Sequence, residues 1–324
     1  MSQLAVVERV DTQASAPLEE QVRAELERRN LSQNKAAQEI GISATALSQY
    51  LDGKYLGDKS NVERRLNRWL EEYRQRENLN GGIRQAPRWV ETPTGKRILN
   101  KLTQAHYTPT MTVIYGGAGL GKTSSIMRYK ETNNNVWVVT ATPASANISA
   151  FFEKISMVVG VKDVSYRSNS VARVEAAINR HLEGRAGLLI VDEAQALTEK
   201  ALEGVRSIYD AHTKLGLALA GNDRVYSRMT GGSRTAVFAQ LFSRIGVQMD
   251  LRTVTPGDVR ALALAFGIAG DAEIEYLVKI SAKPGALRDV ALTVQFADKL
   301  AAGLGRAVTV KELSQAYKER GGAA

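Results

Sequence analysis

The sequence predicts an α/β protein in three parts: a small helical module, a core built on a parallel five-stranded sheet, and an all-helical C-terminal segment. Three observations carry that expectation. Short apolar, β-rich runs alternate with helical stretches at Met111–Tyr115, Val136–Thr140, Leu188–Val191, Leu217–Ala220 and Ile245–Leu251, the pattern that places helices on both faces of parallel strands. A glycine-rich turn joins the first of these runs to a helical stretch. After Thr255 the β signal stops, and Pro256–Phe266, Ala272–Ala282, Gly285–Ala302 and Val310–Arg320 read as four helices.

The N-terminal module is helical from Ala16 to Tyr73. Pro17 suits the first turn of a helix running to about Asn30, with Val22 and Leu26 on its apolar stripe. Ser32 caps a second helix through Ile40, Gly41 interrupts, and Ser43 caps a third from Ala44 to about Leu51. A fourth, from Asn61 to Arg76, sets Val62, Leu66, Trp69, Leu70 and Tyr73 on one face. The spacing from Ser32 to Leu51 is that of a helix-turn-helix, with Ala37 small enough for a tight contact and Ile42 and Leu47 facing inward. Its third helix would be the reading helix, and its exposed side chains are Ser43, Thr45, Ser48 and Gln49. None is cationic, so weakly selective DNA binding is expected, with Lys54, Lys59, Arg64 and Arg65 available for phosphates. A structural or protein-docking four-helix bundle is the alternative. Residues 78–88 hold Gly81, Gly82 and Pro87 and read as a linker. The expected organisation is a loose tail (1–16), a helix-turn-helix domain (17–77), the linker (78–88), an α/β core (89–254) and a helical subdomain (255–324).

Composition narrows the function. Hydrophobic residues make up 44% of the 324 and charged residues 24%, as in an ordinary globular protein. No apolar run reaches membrane-spanning length, and the N-terminus lacks the apolar core of a secretory signal. Without cysteine, disulfides, thiolate zinc sites and cysteine nucleophiles are excluded, and three histidines leave little for a histidine metal cluster. The net charge of +9 is uneven: residues 1–80 hold 12 basic and 13 acidic residues, residues 81–324 hold 31 and 21. A basic body suits a polyanion, nucleic acid first.

The glycine-rich turn is Gly116-Gly117-Ala118-Gly119-Leu120-Gly121-Lys122-Thr123, followed by Ser124 at the head of a helix. It fits G-x-x-x-x-G-K-[ST]: backbone N–H groups cradle phosphate oxygens, Lys122 reaches the β- and γ-phosphates, and the Thr123 hydroxyl meets Mg²⁺. Leu188-Leu189-Ile190-Val191-Asp192-Glu193 ends a strand in two carboxylates. Asp192 is placed to organise Mg²⁺, and Glu193 to polarise an attacking water. Asn222, at the end of Leu217–Ala220, is a candidate γ-phosphate contact. Arg244, before the last strand, and Arg288, near the start of a C-terminal helix, are candidates for neutralising the γ-phosphate. Lys200 and Arg206, after the carboxylate pair, are candidate DNA contacts.

These elements, in this order, resemble an AAA+ ATPase. The resemblance implies a helical lid at the C-terminus, ATP bound between neighbouring protomers, Asn222 as sensor 1, Arg244 as the arginine finger, with Arg224, Arg228 and Arg234 nearby, and Arg288 as sensor 2. With the N-terminal helix-turn-helix, the chain is similar over residues 30 to 320 to the phage Mu B transposition protein family. Thr132–Trp137, Gly221–Gly232, Phe238–Ile245 and Lys283–Arg288 carry that similarity. It implies ATP-dependent polymerisation on double-stranded DNA, delivery of that DNA as a target, activation of a transposase that in turn stimulates hydrolysis, and residence in the cytoplasm, the host's if the protein is phage-encoded. Two other readings stay open: an ATP-regulated transcription regulator, and a helicase loader.

Overall fold

The computed structural model describes residues 16–80, 87, 89–161, 170–230, 243–302 and 306–322. The chain divides into two compact units, 1–83 and 84–324. The tail through residue 15 and most of the linker (81–86 and 88) lie outside the described residues.

The first unit holds α1 (Leu18–Arg29), α2 (Gln33–Ile40), α3 (Ala44–Leu51) and α4 (Lys59–Asn80). The starts of α2 and α3 follow from their serines: the Ser32 and Ser43 side chains accept hydrogen bonds from the Lys35 and Ala46 N–H groups. Gly41, at φ +78°, ends α2 and opens the tight turn to α3. Val22, Ala36, Ala37, Leu47, Leu66 and Trp69 close a single small core. The Arg65 guanidinium donates to the Gly41 carbonyl at 2.8 Å, bracing that turn from α4. α4 starts two residues earlier than expected because the Asp58 side chain caps it, accepting the Asn61 N–H at 3.1 Å, and it continues to Asn80, past the expected end at Arg76.

The second unit opens with α5 (Pro93–Tyr107), begun by the Thr92 side-chain cap and Pro93. Then come β1 (Met111–Gly116), α6 (Lys122–Thr132), β2 (Val136–Thr140), α7 (Ile148–Val159), α8 (Val171–Leu182), β3 (Gly187–Asp192), α9 (Glu199–Asp210), β4 (Leu215–Gly221), α10 (Asp223–Thr230) and β5 (Ile245–Leu251). The strands form one sheet in the order β2-β3-β4-β1-β5, every adjacent pair parallel. β1, β3 and β4 are buried along their length, which is why they read as continuous apolar runs. β5, at the edge, alternates in exposure. Separate hydrophobic clusters cover the two faces, one around Phe151, Phe152, Ile155 and Ile208, the other around Ile98, Leu102 and Ile126. The C-terminal helices α11 (Pro256–Ala265), α12 (Asp271–Ser281), α13 (Ala286–Ala302) and α14 (Val310–Glu319) share a core of Val259, Phe266, Leu277, Val290 and Val294. Among the described residues, no helix is long and apolar enough to cross a membrane.

Two features of this fold build a site. Parallel pairing sets the C-terminal ends of β1, β3 and β4 along one edge, with Tyr115 opposite Gly221 and Val191 opposite Leu219; in open α/β sheets ligands bind at that edge. The helical subdomain is fastened beside it. The buried Asp258 carboxylate takes hydrogen bonds from the Thr94 N–H and hydroxyl at 2.7 and 2.8 Å and from the Thr255 N–H and hydroxyl at 2.8 and 2.7 Å.

Candidate nucleotide site

The glycine-rich turn leaves β1 at Gly116 and enters α6 at Lys122. Two of its glycines are required by what lies against them. At Gly116 (φ +145°) a Cβ would stand 2.0 Å from the Leu251 carbonyl oxygen at the end of β5. At Gly119 (φ +78°) it would stand 1.9 Å from the Gly285 carbonyl, just before α13. The Leu287 N–H donates to the Gly119 carbonyl at 3.1 Å, so the turn and the helical subdomain are hydrogen-bonded backbone to backbone. Leu120 is buried beneath the turn, while Gly117 and Ala118 face outward. Lys122 Nζ donates to the Gly116 and Gly117 carbonyls at 2.9 and 2.7 Å. Burial lowers its pKa, against the opposing pull of Glu193 and Asp192. Thr123 and Ser124 are exposed on the first turn of α6, and Ser125 Oγ donates back to the Gly121 carbonyl at 2.8 Å.

The expected carboxylates stand where β3 ends. Asp192 is 2% exposed. Its Oδ2 accepts the Thr123 hydroxyl at 2.8 Å and its Oδ1 the Glu193 N–H at 3.0 Å. Burial raises its pKa, with those hydrogen bonds and Lys122 pulling the other way; a cation at these oxygens would oppose the effect of burial. Glu193 is exposed at φ +57°, in the left-handed region. Its carboxylate accepts from the Gln195 side-chain amide. Gln195 Oε1 in turn accepts the Asn222 N–H at 3.2 Å. Asn222 Oδ1 accepts the Arg224 N–H at 3.0 Å, capping α10, which directs the other end of the amide, its N–H₂ group, away from that cap.

Lys122, Thr123 and Glu193 line a cavity of about 370 Å³. One end is polar, formed by Gly119 to Ser125 with Glu193; the other is apolar, with Trp89, Val90, Leu262, Phe266, Leu287 and Ala291, and Arg288 reaches in from α13. Such a cavity takes a ligand with a flat apolar end and a polyanionic tail. Apart from Leu287, within Lys283–Arg288, these apolar residues belong to no motif, and neither they nor Gln195 were among the expected site residues. A tryptophan directly after a linker was their single signal.

Arg244 stands apart. Its Nε lies 3.2 Å from Asp210 Oδ1, and its side chain is 54% exposed. Ile245 pairs with Met111, whereas Gly116 pairs with Leu251. Five residues of strand, about 17 Å, therefore separate Arg244 from the glycine-rich turn of its own chain, farther than one side chain reaches. The structure thus brings together every candidate at the phosphate end except Arg244. Arg228 and Arg234 lie outside the described side chains.

Of the candidate DNA contacts, Ser43, Thr45, Gln49, Lys54 and Lys59 are exposed and Ser48 is half-buried. Arg64 bonds Asn61, and Arg65 is committed to the Gly41 turn. Lys200 is exposed on α9. Arg206 is bound to Glu203 and Asp210 on the same helix, which neutralise it.

The model of the AAA domain family matches residues 105–229, and that of the Mu B transposition protein C-terminal domain matches residues 243–319. Among solved structures, Cdc6p from Pyrobaculum aerophilum is similar with a TM-score of 0.56 at 16% identity, covering 72% of this chain and 69% of that one. The ORC1 protein of Aeropyrum pernix, solved in complex with DNA, has a TM-score of 0.53 at 17% identity, covering 72% and 66%. These two likenesses bear on the fold alone, and together with the AAA domain match they make it a P-loop AAA+ fold. Among curated proteins, the Mu-like prophage FluMu DNA transposition protein B of Haemophilus influenzae is 35% identical over 262 residues, 80% of this chain and 88% of that protein. The ATP-dependent target DNA activator B of Escherichia phage Mu is 39% identical over 283 residues, 87% of this chain and 88% of that protein. With that identity running through both units, the chain belongs to the Mu B transposition protein family.

Proposed function

We propose that this protein is the ATP-dependent, DNA-binding ATPase of a DNA transposition system, assembling head to tail on double-stranded DNA with little sequence preference. One observation carries the assembly: the phosphate end of the site and Arg244 stand at opposite ends of the sheet, so a site completed by Arg244 needs two copies of the chain. ATP lies with its base in the apolar end of the cavity and its triphosphate along Gly116 to Ser124, at the N-terminus of α6. Lys122 meets the β- and γ-phosphates. Thr123 and Asp192 offer paired oxygens suited to Mg²⁺, which takes few protein ligands and fills its shell with water and phosphate; when bound it neutralises charge on the transferring phosphate. Glu193 polarises the attacking water, Asn222 contacts the γ-phosphate through its amide, and Arg288 approaches from the lid. Arg244 of a neighbouring copy completes the charge.

Backbone-dominated DNA binding is supported by the basic body and by the uncharged exposed face of α3. Ser43, Thr45, Ser48 and Gln49 supply neutral hydrogen bonds, and Lys54, Lys59 and Lys200 supply phosphate contacts. Arg206, neutralised on its own helix, is left out of these contacts. The name of the phage Mu relative, ATP-dependent target DNA activator B, supports the remaining steps: presentation of bound DNA to a transposase, and clearance of the protein when the transposase stimulates hydrolysis.

Footprinting on random duplex DNA with ATP, ADP or no nucleotide tests the reading. Protection that spreads with protein concentration in ATP and disappears in ADP is expected. One short protected site, independent of nucleotide, would overturn it and favour an operator-binding regulator.

A further inference from the structure

Gln195 lies on the single 3₁₀ turn, Ala194–Ala196, that follows the carboxylate pair. Both ends of its carboxamide are engaged. The N–H₂ group donates to Glu193 Oε2, and Oε1 accepts the Asn222 N–H at 3.2 Å. These partners fix the orientation of the amide, since the reverse would set oxygen against carboxylate and N–H₂ against N–H. The space it occupies depends on the residue at the end of β4: a Cβ on Gly221 would stand 2.2 Å from Gln195 Oε1. Glu193 sits at φ +57° between β3 and the 3₁₀ turn, so no regular element aims its side chain, and the amide tether does.

We infer that Gln195 is a positioning residue for ATP hydrolysis: it holds the Glu193 carboxylate at the phosphate end of the cavity and links it to the strand end that carries Asn222. The inference rests on the proposed ATPase reading, in which Glu193 polarises water and Asn222 meets the γ-phosphate. Its consequence is a mechanical one. Asn222 contributes its side chain to the phosphate and its backbone N–H to Gln195, so a shift of Asn222 on engaging the γ-phosphate moves the amide, and the amide moves the carboxylate.

The test measures DNA-stimulated hydrolysis and equilibrium binding of a fluorescent ATP analogue in the full chain, for Gln195→Ala, Gln195→Glu, Glu193→Gln and the double variant Gln195→Ala/Glu193→Gln. Misplacing the carboxylate should lower kcat of Gln195→Ala by about 10- to 100-fold. Nucleotide affinity should stay within about twofold, because the phosphate loop is untouched. In the Glu193→Gln background, Gln195→Ala should cost no more than about twofold, since two residues acting through one step are not additive. Gln195→Glu, isosteric but with an oxygen facing Glu193, should lose kcat at least as far while binding nucleotide. Should the alanine variant fail to fold, the glutamate variant decides. Wild-type kcat in either folded variant overturns the inference, and so does a loss that multiplies with that of Glu193→Gln. A wild-type chain that does not hydrolyse ATP, or a Glu193→Gln variant as fast as wild type, removes the ATPase reading instead.

Discussion

At Gly119 two demands fall on one residue: a left-handed backbone and the Gly285 carbonyl 1.9 Å from where a Cβ would be. Gly119→Ala adds about 1 kcal/mol of backbone strain and forces the glycine-rich turn away from α13, breaking the Leu287–Gly119 hydrogen bond. The expected outcome is loss of ATP binding with helicity and a cooperative melt retained, checked by nucleotide titration and circular dichroism; full affinity would mean that the contact is incidental. Glu193→Gln keeps the loop and Lys122, so it should bind ATP, hydrolyse it at least about 100-fold more slowly, and persist on DNA; rapid dissociation in ATP would count against Glu193 as the hydrolytic residue. Lys122, Thr123, Asp192 and Glu193 were legible in the sequence because backbone phosphate binding and a strand-end carboxylate are written in consecutive residues. Gln195, Trp89 and Phe266 were not, because their places in the site come from tertiary packing. Gln195 meets Asn222 across 27 positions, and Trp89 meets Phe266 across a cavity no local pattern records.

Among the elements, β1, β3 and β4 could be read because burial on both faces made them near-continuous apolar runs, and the helices of the first unit because serines and a glycine punctuate them. Less legible was what fastens one element to another. Asp258 lies in the first turn of α11, where it forms a capping box with Thr255, and it also accepts both donors of Thr94, from α5. Burial alone would raise its pKa, but the hydrogen bonds from Thr94 and Thr255 outweigh burial and lower it. A carboxyl whose folded pKa lies below its unfolded value contributes stability that is complete above the unfolded pKa, about 4, and lost as pH falls through the folded pKa. Thermal melts should therefore lose stability below about pH 4, and Asp258→Asn should flatten part of that loss. At neutral pH the substitution leaves buried donors without partners and should destabilise the unit by about 2 kcal/mol. A melt unchanged at pH 7 would show that the clamp does not hold the helical subdomain in place.

At the scale of the whole molecule, Arg244 decides whether one chain is a complete machine. It precedes Ile245, which faces Met111 at the opposite end of β1 from Gly116, and it rests against Asp210 on its own subunit with half its side chain exposed. Sequence order made it a candidate, but only the register of β1 and β5 sets it too far from the phosphates of its own chain. On the proposed reading such an arginine serves a neighbour through a head-to-tail contact, in which each copy gives one surface and receives another. Arg244→Ala should bind ATP normally and lose DNA-stimulated turnover by about 10³-fold, the scale of a missing arginine finger. Mixing it with Glu193→Gln gives the sharper measurement, because that protomer still binds ATP, still assembles and still carries Arg244. In an equal, random mixture, about a quarter of the contacts pair an intact site from the first variant with an arginine from the second. Two inactive preparations should thus recover up to about a quarter of wild-type turnover at equal ratio, declining as either is made scarce. If no ratio restores hydrolysis, Arg244 acts within its own chain or only braces Asp210, and the case for ATP as the bond between copies loses its footing.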